Sequence, residues 1–331
     1  MERGKGQMGS VGLNNMAHTR RGLVLSGGAA RGAYQAGALM ALHEADLQFD
    51  VISATSIGTI NAMAWNMDGV LKELDQHWLK NAGGFKPFDM SRLLQGSNPF
   101  QFHKTLEAIA DVYRHRYPWG DERSEILVTL ADYETNEPVV MSSRDEKLSQ
   151  GERELFMKAS TAILHIGSAP VEIQGRNYYD GGYNINVPLD PLLDYELDEI
   201  WVIPLSPVKG DVARTGRKSP LVSAAKNFIT HPYAASLLNW YEQSIDPPDM
   251  QIGPAKKVII SPYRGGAADM FKPGVSLTFS IDNIRALLSG GYVDDAQAVE
   301  DYLASRCSVP PSQPRKLVED LALSRTPRAM R

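Results

Sequence analysis

Short apolar runs alternate along this chain with stretches of helical spacing, which is typical of an α/β protein. Residues 22–25 and 49–52 are apolar runs of strand length, and the small residues at 53–55 are expected to end the second run. Residues 33–45 carry alanines and leucines at helical spacing, and helical spacing resumes at Thr59. This part of the chain therefore predicts a strand, a helix, a strand and a helix in that order.

The same alternation continues toward the C-terminus. Two apolar stretches flank the turn at residues 133–136 and predict a β-hairpin. Helical spacing predicts further helices, and short apolar runs predict two further buried strands. The pair Gly290–Gly291 is expected to separate two closing helices within residues 280–303. The predicted elements are the hairpin strands 126–130 and 138–142, helices 155–163 and 221–241, and strands 200–205 and 258–260.

Ser56 lies where the second predicted strand gives way to a helix, which is the geometry of a nucleophile elbow. A serine at such a bend projects its hydroxyl off the sheet, beside the first amides of the following helix. Ala54 and Gly58 provide the small neighbours that the bend requires, although the usual Gly-x-Ser-x-Gly pattern has glycine at the position of Ala54. Serine is also a common helix cap, so this motif alone leaves both roles open.

A glycine-rich turn, Ser-Gly-Gly-Ala-Ala-Arg-Gly at residues 26–32, joins the first predicted strand to the first helix. Such a turn points unpaired amides into one small space and cradles an anion. The turn lacks the G-x-G-x-x-G pattern of a dinucleotide site and the Gly-Lys-Ser/Thr ending of a P-loop. Because the next strand ends at Ser56, and neighbouring parallel strands end at one edge of the sheet, an oxyanion hole is the favoured interpretation.

Composition limits the class of protein. The chain has 331 residues, of which 43% are hydrophobic and 22% charged, and this predicts a globular protein with a large core. The formal net charge of −5 argues against nucleic-acid binding. A single cysteine, Cys307, excludes an internal disulfide and a cysteine metal site. No apolar run reaches about 18 residues, and residues 1–20 lack the apolar segment of a secretory signal, so a cytoplasmic protein is expected.

The predicted organisation is one domain between two tails. Residues 1–20 are expected to form a flexible N-terminal tail, and residues 21–306 the folded domain. Within that domain, residues 66–120 contain glycine and proline breaks and are interpreted as a helical cap or lid. Residues 307–331 predict a flexible basic C-terminal tail. Nothing in the pattern indicates an oligomeric state.

Three motifs together resemble the patatin-like phospholipase family. That family carries a Gly-Gly-Gly-x-Arg/Lys-Gly oxyanion loop, a Gly-x-Ser-x-Gly nucleophile and a later Asp-Gly-Gly or Asp-Gly-Ala. Here the loop lies in LSGGAARGAYQAG at residues 25–37, the nucleophile motif is centred on Ser56, and the third motif is Asp180-Gly181-Gly182. The similarity extends in element order over about residues 21–303. Ala29 and Ala54 stand where the family usually has glycine.

The resemblance implies a three-layer α/β/α fold with a mostly parallel central sheet, and a serine hydrolase that cleaves acyl esters of lipids without metal or cofactor. It also implies a two-residue catalytic dyad, in which Asp180 contacts Ser56 directly and acts as the base. Gly181 and Gly182 would orient that carboxylate, although an Asp-Gly pair taken alone is more typical of a plain hairpin turn. The expected oxyanion loop consists of Gly27, Gly28, Ala29, Arg31 and Gly32, with Arg31 supporting the shape of the loop.

Two alternatives remain open at this point. Ser56, Asp180 and His231 occur in the chain order of a Ser-acid-His triad, which would make the protein a conventional esterase or thioesterase. His231 precedes a proline in a helical stretch, however, where a bend is the simpler explanation; His165 is expected to be structural and His43 to lie on the surface. The second alternative is a catalytically weak lipid-binding protein. In each case the expected partner is a lipid, with peripheral membrane contact through basic segments such as residues 209–218.

Overall fold

The computed structural model describes residues 19–82, 117–164, 168–205, 251–252, 256–260 and 279–306. In this part of the chain a single sheet runs in the order β5-β6-β3-β2-β1-β7-β9-β8, and β4 pairs with β3 outside that path. The strands are β1 Arg21–Leu25, β2 Val51–Thr55, β3 Glu125–Asp132, β4 Pro138–Ser142, β5 Val171–Ile173, β6 Arg176–Asp180, β7 Glu199–Ile203, β8 Gln251–Ile252 and β9 Lys256–Ile260.

The centre of the sheet is parallel. Strands β3, β2, β1, β7 and β9 are neighbours with parallel pairing, whereas β4, β5, β6 and β8 pair antiparallel. Strands β2 and β7 are buried along their whole length, which accounts for their continuous apolar sequence because both faces of a parallel sheet are covered. The predicted α/β class with a mostly parallel sheet is confirmed, as is the β3–β4 hairpin.

Six α-helices are described, and two of them begin earlier than predicted. The helices are α1 Gly32–Glu44, α2 Ile57–Trp65, α3 Asp68–Leu71, α4 Leu74–Ala82, α5 Gln150–Ala159 and α6 Ile281–Arg306. Helix α2 begins at Ile57 rather than Thr59. Helix α5 begins at Gln150, because Ser149 and Glu152 form a reciprocal capping box that the apolar spacing alone did not reveal.

Strand β2 also departs from its predicted range. It continues through the small residues at 53–55, and Thr55 still pairs in register with Thr129 of β3. The expectation that these residues break the strand is therefore wrong. Small side chains do not end a strand whose backbone pairs on both sides and whose faces are covered.

The two closing helices predicted around Gly290–Gly291 are in fact one continuous helix, α6. Gly291 is required by a close crossing with α1, since a Cβ at that position would lie 1.9 Å from the carbonyl oxygen of Tyr34. The crossing is reciprocal, because a Cβ at Gly37 would lie 2.0 Å from the carbonyl oxygen of Leu288. Glycine therefore serves helix packing here, and the helix does not break.

The core has two parts, one on each face of the sheet. The larger cluster lies between the sheet and the helices, and it includes Trp65, Phe156 and Leu287. On the opposite face, the described segment that covers the sheet is residues 187–197. Its side chains pack against a smaller cluster that comprises Val24, Val51, Leu127, Leu192, Leu197, Ile200 and Val202.

Several predicted features lie outside the described residues. They are the predicted helix 221–241, the basic segment 209–218, most of the predicted cap, and the two tails at 1–18 and 307–331. Within the described part, no helix combines the length and the apolar character needed to cross a membrane.

Replacement of Gly291 by alanine is expected to lower the melting temperature by several degrees. The added Cβ meets backbone that cannot rotate away, and such overpacking costs about 1–3 kcal/mol. Gly151→Ala, on an exposed position of α5 with nothing within 4 Å of the new Cβ, is the matched control and should leave stability equal or slightly raised. Thermal unfolding by circular dichroism measures both variants, and equal melting temperatures would contradict the close crossing.

Candidate active site

Two strands approach each other head to head along one side of β3. Leu130 of β3 pairs with both Val139 of β4 and Asp180 of β6, so β4 and β6 lie on opposite sides of β3. Thr129 likewise pairs with β4 and with Thr55 of β2. Strands β2 and β6 therefore share one side of β3 and run toward each other. The last residue of β2 and the last residue of β6 pair with consecutive residues of β3.

Ser56 follows directly at this junction. Its backbone has φ 56° and ψ −127°, a left-handed conformation that is uncommon for a residue with a side chain, and α2 begins at the next residue. Gly58 makes the turn possible, because a Cβ there would lie 2.3 Å from the carbonyl oxygen of Leu25 in β1. The Ser56 side chain makes no capping hydrogen bond to α2. Its hydroxyl instead donates to Asp180 Oδ2 at 2.6 Å.

Asp180 is a buried carboxylate with few partners. Its Oδ1 accepts a hydrogen bond of 2.8 Å from the amide of Gly182, and its backbone amide donates to the carbonyl of Ala162. Burial raises the pKa of Asp180 from 3.8 to about 7, although the hydrogen bonds from Ser56 and Gly182 lower it in part. Gly181 has no room for a side chain, since a Cβ would lie 2.4 Å from the Thr129 carbonyl oxygen.

The glycine-rich loop lies beside Ser56. A Cβ at Gly27 would lie 3.1 Å from Ser56 Cβ and 2.5 Å from Asn186 Oδ1. The amide of Gly27 donates to the carbonyl of Asn186 at 3.1 Å. This amide was expected to contribute to the oxyanion hole, but it is already hydrogen-bonded within the fold. In the described part of the chain, no acceptor is paired with the amides of Gly28 and Ala29.

The two departures from glycine have different consequences. Ala29 has φ 51°, so an alanine occupies a backbone conformation that glycine adopts without strain. Ala54 is fully buried in β2 and has extended geometry. Backbone strain in this region therefore lies at Ser56 and at Ala29, which have positive φ, and not at Ala54.

Arg31 supports the loop from within the protein. Its side chain is only 6% exposed, and Nη1 donates to the carbonyl of Leu205 at 2.8 Å. Gly32 begins α1, where a Cβ would lie 2.4 Å from Ile57 Cγ1 of α2. The loop is thus held against both α2 and the segment that follows β7.

A buried polar network, which the sequence patterns did not predict, lies under this loop. Gln35 Nε2 donates to the carbonyls of Ser26 and Ile203, and Asn61 Nδ2 donates to the carbonyl of Gly32 and to Gln35 Oε1. Both side chains are fully buried. The sequence contained one indication of this network, because two residues with side-chain amides lie among the apolar positions of α1 and α2. Buried side-chain amides are retained where they satisfy backbone groups.

Two further residues of the site were also missed. Asn186 contacts the loop through its side chain as well as its backbone, because Nδ2 donates to the Gly27 carbonyl at 3.3 Å. Ser160, at the end of α5, accepts a hydrogen bond of 2.9 Å from the amide of Ser56. Neither residue belongs to a motif that periodicity or composition marks.

The histidines within the described residues take no part in the site. No histidine among the described residues is hydrogen-bonded to Ser56 or Asp180. His43 is half-buried on α1 and meets Trp65 edge-on with ring centroids 6.3 Å apart, so its predicted surface position is only partly right. His165 and His231 lie outside the described residues. Among the described residues, no group of three metal-ligating side chains is found.

Comparison with known proteins assigns the family. The family described as patatin-like phospholipase matches residues 23–193, which is just over half of the chain. The chain therefore belongs to the patatin-like phospholipase family.

Individual relatives are more distant. Lysophospholipase nte1 of Aspergillus terreus is 30% identical over 175 residues, which cover 50% of this chain and 11% of that protein. Lysophospholipase NTE1 of Cryptococcus neoformans is 29% identical over 194 residues, which cover 56% of this chain and 11% of that protein. The chain thus spans about a tenth of the length of these curated relatives.

Solved structures were compared in the same way. Human GIVD cytosolic phospholipase A2 in complex with methyl gamma-linolenyl fluorophosphonate aligns with a TM-score of 0.46 and 14% identity, over 92% of this chain and 59% of that chain.

Asp180→Asn is expected to stabilise the protein at high pH. The pKa of Asp180 is about 7 in the folded protein, above its ordinary value of 3.8. The free energy of unfolding therefore decreases as pH rises from about 4 to about 7, and Asp180 causes no further decrease above that range. Asparagine avoids the buried charge and should exceed the wild type by a few kcal/mol at pH 8 but by little at pH 4. Urea unfolding at both pH values tests this difference, and a gap that does not grow with pH would contradict it.

Proposed function

We propose that this protein is a serine lipid acyl hydrolase that uses Ser56 as nucleophile and Asp180 as general base. The observation that carries the proposal is the hydrogen bond of 2.6 Å from Ser56 Oγ to Asp180 Oδ2 within a buried site. A serine hydroxyl becomes an effective nucleophile only when a base removes its proton during attack. The short contact supports Asp180 in that role without an intervening imidazole.

The proposed first half-reaction begins with Asp180 ionised. Ser56 Oγ attacks the carbonyl carbon of an acyl ester while its proton passes to Asp180. The negative charge that develops on the carbonyl oxygen is held by the amides of Gly28 and Ala29, and each such donor is worth on the order of a hundredfold in rate. The C–O bond to the alcohol then breaks, Asp180 returns the proton to the leaving oxygen, and an acyl-serine remains.

The second half-reaction regenerates the enzyme. Asp180 takes a proton from water as that water attacks the acyl-serine carbonyl, and the same two amides hold the oxyanion. Collapse releases the fatty acid and returns the proton to Ser56. The buried position of Asp180 favours this shuttle, because a carboxylate with a pKa of about 7 is a stronger base than an exposed aspartate.

The proposed substrates are phospholipids and lysophospholipids. The family description names phospholipases, and the curated relatives are named lysophospholipases. In the proposed steps Asp180 carries every transferred proton and backbone amides hold the oxyanion, so the mechanism requires neither metal nor cofactor. A cytoplasmic location and peripheral contact with membranes remain predictions.

Ser56→Ala and Asp180→Ala are each expected to abolish hydrolysis of lysophosphatidylcholine, because each removes one partner of the proton transfer. His231→Ala should retain most activity, since the proposed dyad has no histidine. Release of free fatty acid by purified protein measures all three variants, and labelling by a fluorophosphonate probe reports the nucleophile directly. Loss of activity in His231→Ala would favour the triad. Absence of Ser56-dependent labelling in folded wild-type protein would favour a lipid-binding protein.

The pH dependence of kcat/KM should follow Asp180. The base must be ionised, so activity rises with pH, falls about tenfold per unit below the midpoint, and reaches half of its plateau at about pH 7. The measurement is hydrolysis of a soluble ester, p-nitrophenyl butyrate, between pH 5 and 9 in a buffer of constant ionic strength. A profile that is flat from pH 5 upward would contradict a buried aspartate as the base.

A further inference from the structure

Ser160 lies at the junction of the strands that position the proposed dyad. It follows α5 and is fully buried. Its hydroxyl oxygen accepts from the amide of Ser56 at 2.9 Å and lies 3.2 Å from the carbonyl oxygen of Thr129, to which it donates. It is also 3.1 Å from the hydroxyl of Thr59 in α2. One side chain therefore connects β3, the elbow and α2.

The backbone of Ser56 needs such a contact. A residue with a side chain in a left-handed conformation is strained and persists only where its surroundings impose it. The amide of Ser56 is buried, and a buried amide without an acceptor would destabilise the fold further. The hydroxyl of Ser160 supplies that acceptor and fixes the direction in which the peptide plane before Ser56 points.

The same short segment also holds the base. The amide of Asp180 donates to the carbonyl of Ala162 at 3.2 Å, two residues beyond Ser160. The backbones of both members of the dyad are thus hydrogen-bonded to residues 160–162. The separation between Ser56 Oγ and Asp180 Oδ2 depends on this segment as well as on the pairing with β3.

We propose that Ser160 is a positioning residue, which holds the backbone of Ser56 so that its hydroxyl points at Asp180. This inference rests on the proposed function, because it concerns the geometry of the Ser56–Asp180 pair. Ser160 does not contact substrate in this scheme. It acts through Ser56, and its effect belongs to the chemical step rather than to substrate binding.

Ser160→Ala is expected to lower kcat about ten- to a hundredfold with KM little changed, since a displacement of about 1 Å at a reacting group costs on the order of a hundredfold. The matched control is Ser53→Ala. Ser53 is an equally buried serine on β2, and its hydroxyl makes no hydrogen bond in the described part of the chain. This control should keep the kcat and KM of the wild type.

The experiment uses the full chain with p-nitrophenyl butyrate as substrate, together with hydrogen exchange of the amides around Ser56. The proposal expects faster exchange at Ser56 in Ser160→Ala and no change in Ser53→Ala. It is overturned if Ser160→Ala keeps the wild-type kcat, if only its KM changes, or if exchange at Ser56 is unaltered. If the wild type shows no Ser56-dependent hydrolysis, the proposed function is wrong. Hydrogen exchange does not depend on catalysis, so it still tests whether Ser160 holds the backbone of Ser56.

A second variant covers the case in which Ser160→Ala does not fold. Ser160→Cys keeps the shape of the side chain but replaces the hydroxyl by a weak sulfur acceptor. Its kcat should fall below that of the wild type, again with KM little changed and with faster exchange at Ser56. A wild-type kcat in Ser160→Cys would overturn the proposal.

Discussion

The site depends on the way two strands share one side of β3. Strand β2 occupies that side as far as Thr129, and antiparallel β6 occupies it from Leu130 onward. Because the ends of the two strands meet at consecutive residues of β3, backbone pairing brings the residues there close together. Ser56 and Asp180, 124 positions apart in sequence, thereby come within hydrogen-bond distance. A shift of register in either strand would separate them.

Close packing of backbone around this junction accounts for two of the glycines in the motifs. Gly58 faces the end of β1 and Gly181 faces β3, and neither has space for a Cβ. The result is a dry site in which charge is costly, so the pKa of Asp180 rises. The same burial that makes the carboxylate a better base also makes the folded protein less stable when that carboxylate is ionised.

Local patterns predicted the parallel strands, the hairpin and the three motifs, because these depend on apolar spacing and on glycine at tight turns. The same patterns were wrong at Gly291, where glycine serves a helix crossing that involves residues far apart in sequence. They also missed Gln35, Asn61 and Ser160, since a buried polar residue is recognised by its partner and not by its neighbours in sequence. The engagement of the Gly27 amide by Asn186 was hidden for the same reason.

The crossing of α1 and α6 has a consequence for biosynthesis. Helix α1 carries the glycine-rich loop at its start, and in the described part of the chain its flank at Tyr34 and Gly37 packs against α6, whose Asp294 also accepts a hydrogen bond from the Tyr34 hydroxyl. Chains emerge from the ribosome N-terminus first. A nascent chain that already contains every motif therefore still exposes this apolar flank of α1 until the residues near 291 have been synthesised.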